Sequence, residues 1–562
     1  MAAILCMEPN FGEERLQRKR PGERVSNGAE KARRGFSTKW SSVGTHLLFT
    51  NLERKQTSVE SFSGPGSGAP KLWDQIWFFG LLLLAIFKLW LLPLRTGLWQ
   101  DETGTFWAIQ GNALAEVVHR TLVWPAQTLL YTIIDWTAVQ IGGSSELVMR
   151  LPSVVAMLLG AHLLYRLGCR LMSADAARAA TLVFVCSEAV AFAAADARPY
   201  ALGTAAVISA AWFLVRWWDG RNLSAGIAFA ISSSLIVHMH YVLAVSLVVF
   251  VAYAFCRALR GAAPSILQIL TVIAVFCVLL VPVVPHFESL WQSRQAHSFA
   301  GTPGVADLFG TLMPPLLIGS AMAGMALGRV VLKEFEIRIP RLAPSNLILM
   351  ATWALLPCLL LFAVSSVSTI KVFIPRYLLA AAPGLALLAG WLIAAIRPAR
   401  AQLLTLSTFT LATLLSTGGL LHPPHGGDWR AAINDVRRAA VAPTIPVLVR
   451  SGFIESASFD GQSGEPEPAY FHAPLLAYPA SGRVILLPAR MDKSAATVLE
   501  SAVIDFLESS PRFLLVTSGD SVYEYWLLGR LSHAGIKIER TTFYGGKGST
   551  LRLITFTKGP SS

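Results

Sequence analysis

Apolar stretches of about 17–25 residues recur from residue 74 to residue 420, separated by short, basic gaps. Inside a bilayer every backbone N–H and C=O must be satisfied within its own segment, so runs of this length and spacing fold as helices. The spans drawn from the pattern are 74–93, 147–167, 179–196, 199–217, 224–240, 241–256, 266–286, 306–328, 346–366, 377–396 and 403–420. Only 14% of the 562 residues are charged, against about a quarter in a soluble chain. The class is an α-helical polytopic membrane protein with about 11 transmembrane helices plus juxtamembrane helices. The net charge of +13 would suit nucleic acid, but the Lys and Arg sit in the gaps between spans. There they act as orientation signals and contacts to anionic lipid, so the expected partner is the bilayer and not nucleic acid.

Orientation follows from those cations. Residues 1–70 are polar and basic, with Arg18-Lys19-Arg20, Arg33-Arg34 and Arg54-Lys55. They read as a disordered cytoplasmic tail or an over-extended gene start, and lack the pattern of a cleaved signal peptide. With that tail inside, the alternate loops hold Arg166/Arg170/Arg178, Arg216/Arg221, Arg257/Arg260, Arg329/Lys333/Arg338/Arg341 and Arg397/Arg400. All are basic, as the positive-inside rule requires. The stretch 126–142 is apolar but carries Asp135 and Gln140. A crossing there would turn every later cluster outward, so it is placed as an amphipathic helix at the outer interface. Residues 71–420 then form the membrane domain, and 421–562 a small extracytoplasmic α/β domain.

That last region alternates helix patterns (428–440, 495–509, 522–534) with β-rich runs (445–450, 483–487, 513–517, 536–543, 551–557). It has no Gly-rich phosphate loop, which favours a lid or an acceptor-recognition module. The six cysteines, at 6, 169, 186, 256, 277 and 358, show no metal or disulfide spacing.

Ionisable residues gather at the outer ends of the spans: Asp101 and Glu102; Asp196, Arg198 and Tyr200; His238, His240 and Tyr241; His286 and Glu288; Lys371, Arg376 and Tyr377. Any one of them suits a headgroup anchor, and Asp101-Glu102 also suits the first turn of a helix through 105–115. Convergence from five loops is harder to explain that way. His238 and His240 are two apart, a poor metal pair, and suit local hydrogen bonds. Glu188 and Asp135 are lone acids expected to be paired or interfacial. Carboxylates beside cations at a bilayer surface suit transfer of a group from a lipid-linked phosphate to a hydroxyl. The acid takes the acceptor's proton, and Arg376 with Lys371 or Arg198 steadies the phosphate that leaves.

The stretches LWQDETGTFWA (98–108), ELVMRLPSVVAMLLG (146–160), ADARPYALG (195–203), HMHY (238–241) and PRYLLAAAPGLALLAG (375–390) resemble membrane glycosyltransferases of the protein-mannosyltransferase and aminoarabinose-transferase kind, including Rgt-like bacterial members. The resemblance runs in order over about 85–396. DWRAAINDV (428–436) is similar to the start of the outer domain in many bacterial members. It implies a GT-C fold, a polyprenyl-phosphate-sugar donor, and inverting transfer outside the cell membrane to a glycan, lipid or protein acceptor without a nucleotide. By position it implies Asp101 as catalytic acid with Glu102 beside it. It places Pro375-Arg376-Tyr377 near the donor phosphate. The candidate substrate-pocket residues at the outer edge are Tyr200, His238, His240, Tyr377 and His119. Many members carry His-Pro-Pro or Lys-Pro where this chain has Trp124-Pro125-Ala126. The missing cation shifts the expected donor contacts to His119, Arg120 or Lys371.

Two rival classes fit less well. A lipid-linked solute transporter or flippase would show repeats, broken helices and midplane charges, and the sequence shows no repeat. An oligosaccharide polymerase or ligase would carry its large loop between spans, whereas here the polar region follows the last one. An acidic pair is compatible with a divalent cation such as Mg²⁺ or Mn²⁺, but the sequence offers no further ligand for one. The expected topology is checked by reporter fusions: fusions in the loop after residue 93 and in residues 421–562 should report from outside the cell, and a cytosolic signal from either would overturn the orientation.

Overall fold

The computed structural model describes residues 72–558, apart from 125–126, 293–300, 333, 418–426, 440–444, 458–467, 482, 488–490, 492, 494–495, 498–509, 520–521, 532–534 and 546–549. The expected tail at 1–70, all but residues 496–497 of the expected helix at 495–509, Lys333, Pro125 and Ala126 lie outside the described residues.

Among the described residues six helical segments are long and apolar enough to cross a membrane: Leu72–Arg95, Glu146–Leu171, Tyr200–Gly220, Tyr241–Leu259, Ile266–Glu288 and Pro344–Val367. Two bent pairs, Ala174–Cys186 with Glu188–Ala194 (68°) and Val305–Leu312 with Pro315–Val331 (44°), raise the number to eight if each is one span. The breaks fall at Ser187 and at Met313-Pro314, where a helix is poorly continued. The other three of the eleven expected spans fall short. Leu223–Met239 and Ala382–Ile393 are shorter apolar helices. Ala399–Ser416 is interrupted by Thr405, Ser407, Thr408, Thr410 and Thr413. The architecture is that of a multi-pass membrane protein.

Close approach of these helices depends on small residues, as is usual where lipid supplies no hydrophobic drive between helices. At Gly390, in Ala382–Ile393, a Cβ would lie 2.5 Å from the Ala176 carbonyl and from the Ala180 nitrogen of the neighbouring helix.

The helices have two distinct ends. Glu146–Leu171 has 26 residues and is therefore about 39 Å long. At its far end Arg170 pairs with Asp219 at 2.8 Å, and Asp219 also takes Arg257 at 2.9 Å. There too Glu336 and Ile337 pair antiparallel with Arg397 and Ile396, tying two basic loops together. At the near end Glu146 accepts from Arg430 (3.0 Å) and from the Tyr478 hydroxyl (2.9 Å). The helix α1 (Gln100–Ile109), α2 (Leu114–Val123) and α3 (Leu129–Gly142) sit at this end. α3 has 14 residues, about 21 Å, too short for a bilayer core of about 30 Å. Gln127, just before it, bonds Thr105 and Arg198, while Val139 near its far end packs on Leu98, Ile109 and Met149. Both of its ends stay beside α1. Asp135, expected to be paired or interfacial, is instead wholly buried, and neither oxygen has a hydrogen-bond partner among the described residues. Burial, and then the charge of Glu102, raises that carboxyl well above its usual range.

Residues beyond 427 build a five-stranded sheet. Its strands are β1 (Val447–Arg450), β2 (Val484–Leu487), β3 (Arg512–Thr517), β4 (Ile536–Phe543) and β5 (Arg552–Lys558), in the spatial order β2-β1-β3-β5-β4. β1 is parallel to β2 and β3, and the β4–β5 hairpin is antiparallel to β3 and within itself. Successive residues face opposite ways. Val447, Val449, Leu514 and Val516 meet Trp429, Ile433 and Val436 of the helix Trp429–Ala439. Leu448, Phe513 and Leu515 meet Tyr523, Leu527 and Leu531 of Val522–Leu531 on the other face. A sheet covered on both faces reads as continuous apolar runs, which is how these strands appear in the sequence.

From Ile76 to Ser562 the chain forms one compact unit. What joins its parts is the segment 95–99. From the helix side, Arg150 donates to the carbonyls of Pro93 (3.1 Å), Thr96 (2.8 Å) and Gly97 (3.0 Å). Its remaining donors form a bidentate pair with Glu102, at 2.7 and 2.5 Å, and neither side chain is exposed. From the other side, the Gly97 N–H donates to Asp428, the Leu98 N–H to the Tyr478 hydroxyl, and the Trp429 N–H to the Leu98 carbonyl. Arg150→Met would leave Glu102 buried and uncompensated, a loss of about 3–5 kcal/mol. The expected outcome is a large drop in melting temperature for the purified protein. Glu102→Gln would turn one accepting oxygen into an NH2 facing two donors and leave Arg150 uncompensated, so it should melt early as well; equal melting of Arg150→Met and wild type would contradict the pair's role.

Candidate functional site

Adjacent residues on a helix point about 100° apart, and α1 uses this to send its two acids in different directions. Glu102 turns inward. Its carboxylate accepts from Arg150, from the Trp99 N–H at 3.1 Å and from the Ala197 N–H at 2.8 Å. The Trp99 contact is the backbone cap of α1, made by the acid three positions into the helix. Asp101 turns outward, 23% exposed, and accepts from Arg376 at 3.1 Å across 275 residues of chain. Glu102, expected to work beside Asp101 as a catalytic acid, is therefore committed to the loop and shut away from any substrate.

Arg376 lies in the turn after Pro344–Val367, and its guanidinium carbon stands 5.8 Å from the ring centre of Tyr377. Tyr377 faces Tyr200 (6.4 Å between ring centres) and His240 (5.0 Å), and Tyr200 and His240 are 4.9 Å apart. These rings come from the start of Tyr200–Gly220, from the residue after Leu223–Met239, and from the turn that carries Arg376. Arg198 completes the group: buried, it donates to Gln127 at 3.0 Å and lies over the ring of Trp124 at 5.2 Å. Asp196 accepts from the Trp99 indole N–H at 2.9 Å. Its other carboxyl oxygen has no hydrogen-bond partner among the described residues. Burial, then the Glu102 charge, raises the Asp196 carboxyl well above its usual range, with the Trp99 bond and Arg198 opposing.

Of the residues singled out from the sequence, the structure brings together Asp101, Arg198, Tyr200, His240, Arg376 and Tyr377. Others go elsewhere. Lys371, expected on the donor phosphate, donates to the carbonyls of Ser365 (2.6 Å) and Ser368 (3.0 Å), closing the end of its own helix. His238 bonds the Leu279 carbonyl at 2.9 Å on a neighbouring helix. His119 is exposed on α2, while Arg120 beside it is held by Glu116 and the Trp107 carbonyl. Tyr241 pairs with His286 at 2.6 Å. Arg150, Gln127 and Trp124 received no role from the sequence. For Arg150 a signal was present: an arginine four residues into an otherwise apolar span needs a partner.

The arrangement offers a half-exposed carboxylate, two guanidinium groups and three rings where the loops of several membrane helices meet. Among the described residues no three His, Cys, Asp or Glu side chains converge as a metal site. A carboxylate that can take a proton beside cations that can hold a phosphate is a set for group transfer from a phosphate ester.

The chain is similar to the crystal structure of ArnT from Cupriavidus metallidurans bound to undecaprenyl phosphate, with 12% identity over 87% of this chain and 98% of that one and a TM-score of 0.44. To the apo state of the same protein it is 12% identical over 87% and 99%, with a TM-score of 0.45. The oligosaccharyltransferase of Archaeoglobus fulgidus, tethered with an acceptor peptide containing the NVT sequon, is 12% identical over 85% of this chain and 74% of that one, with a TM-score of 0.45. No curated protein matches the sequence. Residues 126–286 match the family model described as dolichyl-phosphate-mannose-protein mannosyltransferase. That stretch carries Gln127, Asp196, Arg198, Tyr200 and His240, so much of the candidate site lies within the part of the chain that is similar to this glycosyltransferase family.

Proposed function

We propose that this protein moves a sugar from a polyprenyl-phosphate donor to an acceptor hydroxyl on the extracytoplasmic face of the cell membrane, with inversion at the sugar carbon. The observation that carries the reading is the Asp101–Arg376 pair: two half-exposed opposite charges brought to 3.1 Å from loops 275 residues apart. In the proposed step the acceptor oxygen attacks the sugar's anomeric carbon and its proton passes to the Asp101 carboxylate. The bond from that carbon to the phosphate oxygen breaks, and the polyprenyl phosphate leaves with the electron pair. The leaving phosphate gains charge, which Arg376 and Arg198 would meet through planar N–H forks. Entry of the donor phosphate would draw Arg376 away from Asp101 and free that carboxylate for the acceptor.

Glu102 in this reading does no chemistry; it fixes the loop on which Asp101 stands. The rings of Tyr200, Tyr377 and His240 would line the donor's path from the lipid. The acceptor is a cell-envelope glycan, lipid or protein, and the basic loops at the far end of the helices face the cytoplasm with the amino terminus.

The test uses membranes holding the full-length protein and a panel of radiolabelled polyprenyl-phosphate sugars. Asp101→Asn should lower transfer by at least about 100-fold, the size of a lost general base, while insertion and melting stay those of wild type. Arg376→Lys should weaken it less, since the charge stays and the fork is lost. Near-normal transfer by Asp101→Asn would remove Asp101 from the chemistry.

A further inference from the structure

Trp124 stands between the candidate site and the α/β region, and it touches both. Its ring is almost wholly buried, and the guanidinium carbon of Arg198 lies 5.2 Å from its centre. On its other sides are Phe453, edge-on at 5.8 Å, and Tyr470 at 5.9 Å, both contributed by residues beyond 427. Gly104 of α1 lies against the same ring, and any Cβ there would collide with three of its carbons. The indole therefore has little freedom to turn. Arg198, itself buried, is held from the ring face and through its bond to Gln127 at 3.0 Å.

Phe453 belongs to the turn 451–453 that follows β1. The order β2-β1-β3 means the connections leaving β1 and reaching β3 run to opposite sides. The turn therefore lies at the carboxyl edge of the parallel strands, where open α/β sheets hold their ligands. In this protein the edge receives a side chain of α1. A Cβ on Gly452 would stand 2.7 Å from the Gln100 amide oxygen and 3.0 Å from the Ser518 Cβ, so only glycine admits Gln100 between the strand ends. Gln100 precedes Asp101. One turn of the α/β region thus meets α1 beside the carboxylate and, one residue later, meets Trp124 beneath Arg198.

We propose that Trp124, clamped by Phe453 and Tyr470, is a positioning residue that aims Arg198 at an anionic phosphate, making the α/β region a working part of the phosphate site. This rests on the glycosyl-transfer reading above. A guanidinium seated on a desolvated indole keeps its charge while losing freedom to swing, so the ring sets the direction in which its N–H groups meet a phosphate.

The probe is undecaprenyl phosphate itself, titrated against the purified full-length protein in lipid nanodiscs. Trp124→Leu should raise its Kd about thirtyfold, the size of a desolvated cation–π contact of about 2 kcal/mol. Trp124→Phe keeps a ring face and should stay within about threefold of wild type, which loss of packing alone would not produce. Phe453→Ala should weaken binding although it touches no part of the phosphate. Leu527→Ala, in the sheet core on the opposite face, should melt earlier yet bind as wild type does. Wild-type affinity in Trp124→Leu overturns the proposal, and so does equal weakening in Leu527→Ala. Failure of the wild type to bind undecaprenyl phosphate would instead remove the lipid-phosphate reading, and the proposal with it.

Discussion

A buried arginine whose donors are divided between one carboxylate and three backbone carbonyls holds the near end of this protein together. Ion pairs in a dry interior gain only when geometry is good and the remaining hydrogen bonds are satisfied. Arg150 meets that condition, with two bonds to Glu102 and others to Pro93, Thr96 and Gly97. The same carboxylate caps α1 through Trp99 and receives the Ala197 N–H from the loop that carries Asp196 and Arg198. One side-chain pair thereby fixes the first loop, the start of α1 and the segment just before Tyr200 in a single arrangement. Asp101 is placed by this arrangement and takes no part in it.

Much of the architecture was legible because its physics is local. Runs such as 72–95 and 344–367 have the length and polarity of bilayer helices, and the strands around Leu448 and Leu515 stand out as short apolar runs. The length of each span was less legible, because polar residues such as Thr405 and Thr410 are tolerated where another helix covers them. The site was half legible. Asp101 and Arg376 are ionisable residues at membrane edges, which is a sequence signal in itself. That they touch is a property of packing across 275 residues, and no local pattern encodes it. Lys371 misled for the same reason. Its charge and position suited a phosphate, but the nearest unsatisfied groups were the carbonyls at the end of its own helix. Trp124 was read from the sequence only as the place of a missing cation; the structure turns its ring toward Arg198.

The α/β region was expected to be a lid or an acceptor-recognition module. Its contacts fit a wall better than a lid. Asp428, Trp429, Arg430 and Tyr478 all bond the segment 95–99 or Glu146, and Phe453, Tyr470 and Phe471 share a core with Trp107 and Trp124. Opening such a contact would expose aromatic surface and leave several buried donors unpaired, each at a cost of about 1–3 kcal/mol. Movement in a catalytic cycle is cheaper in small parts than in this one. The Asp101–Arg376 pair keeps 23% of each side chain in contact with solvent, so it is screened more than a fully covered pair and is the easier of the two to open. The rigid and the yielding interactions are thus separated by burial: Glu102–Arg150 is fully covered and keeps the scaffold, while one residue away Asp101–Arg376 is open enough to exchange partners.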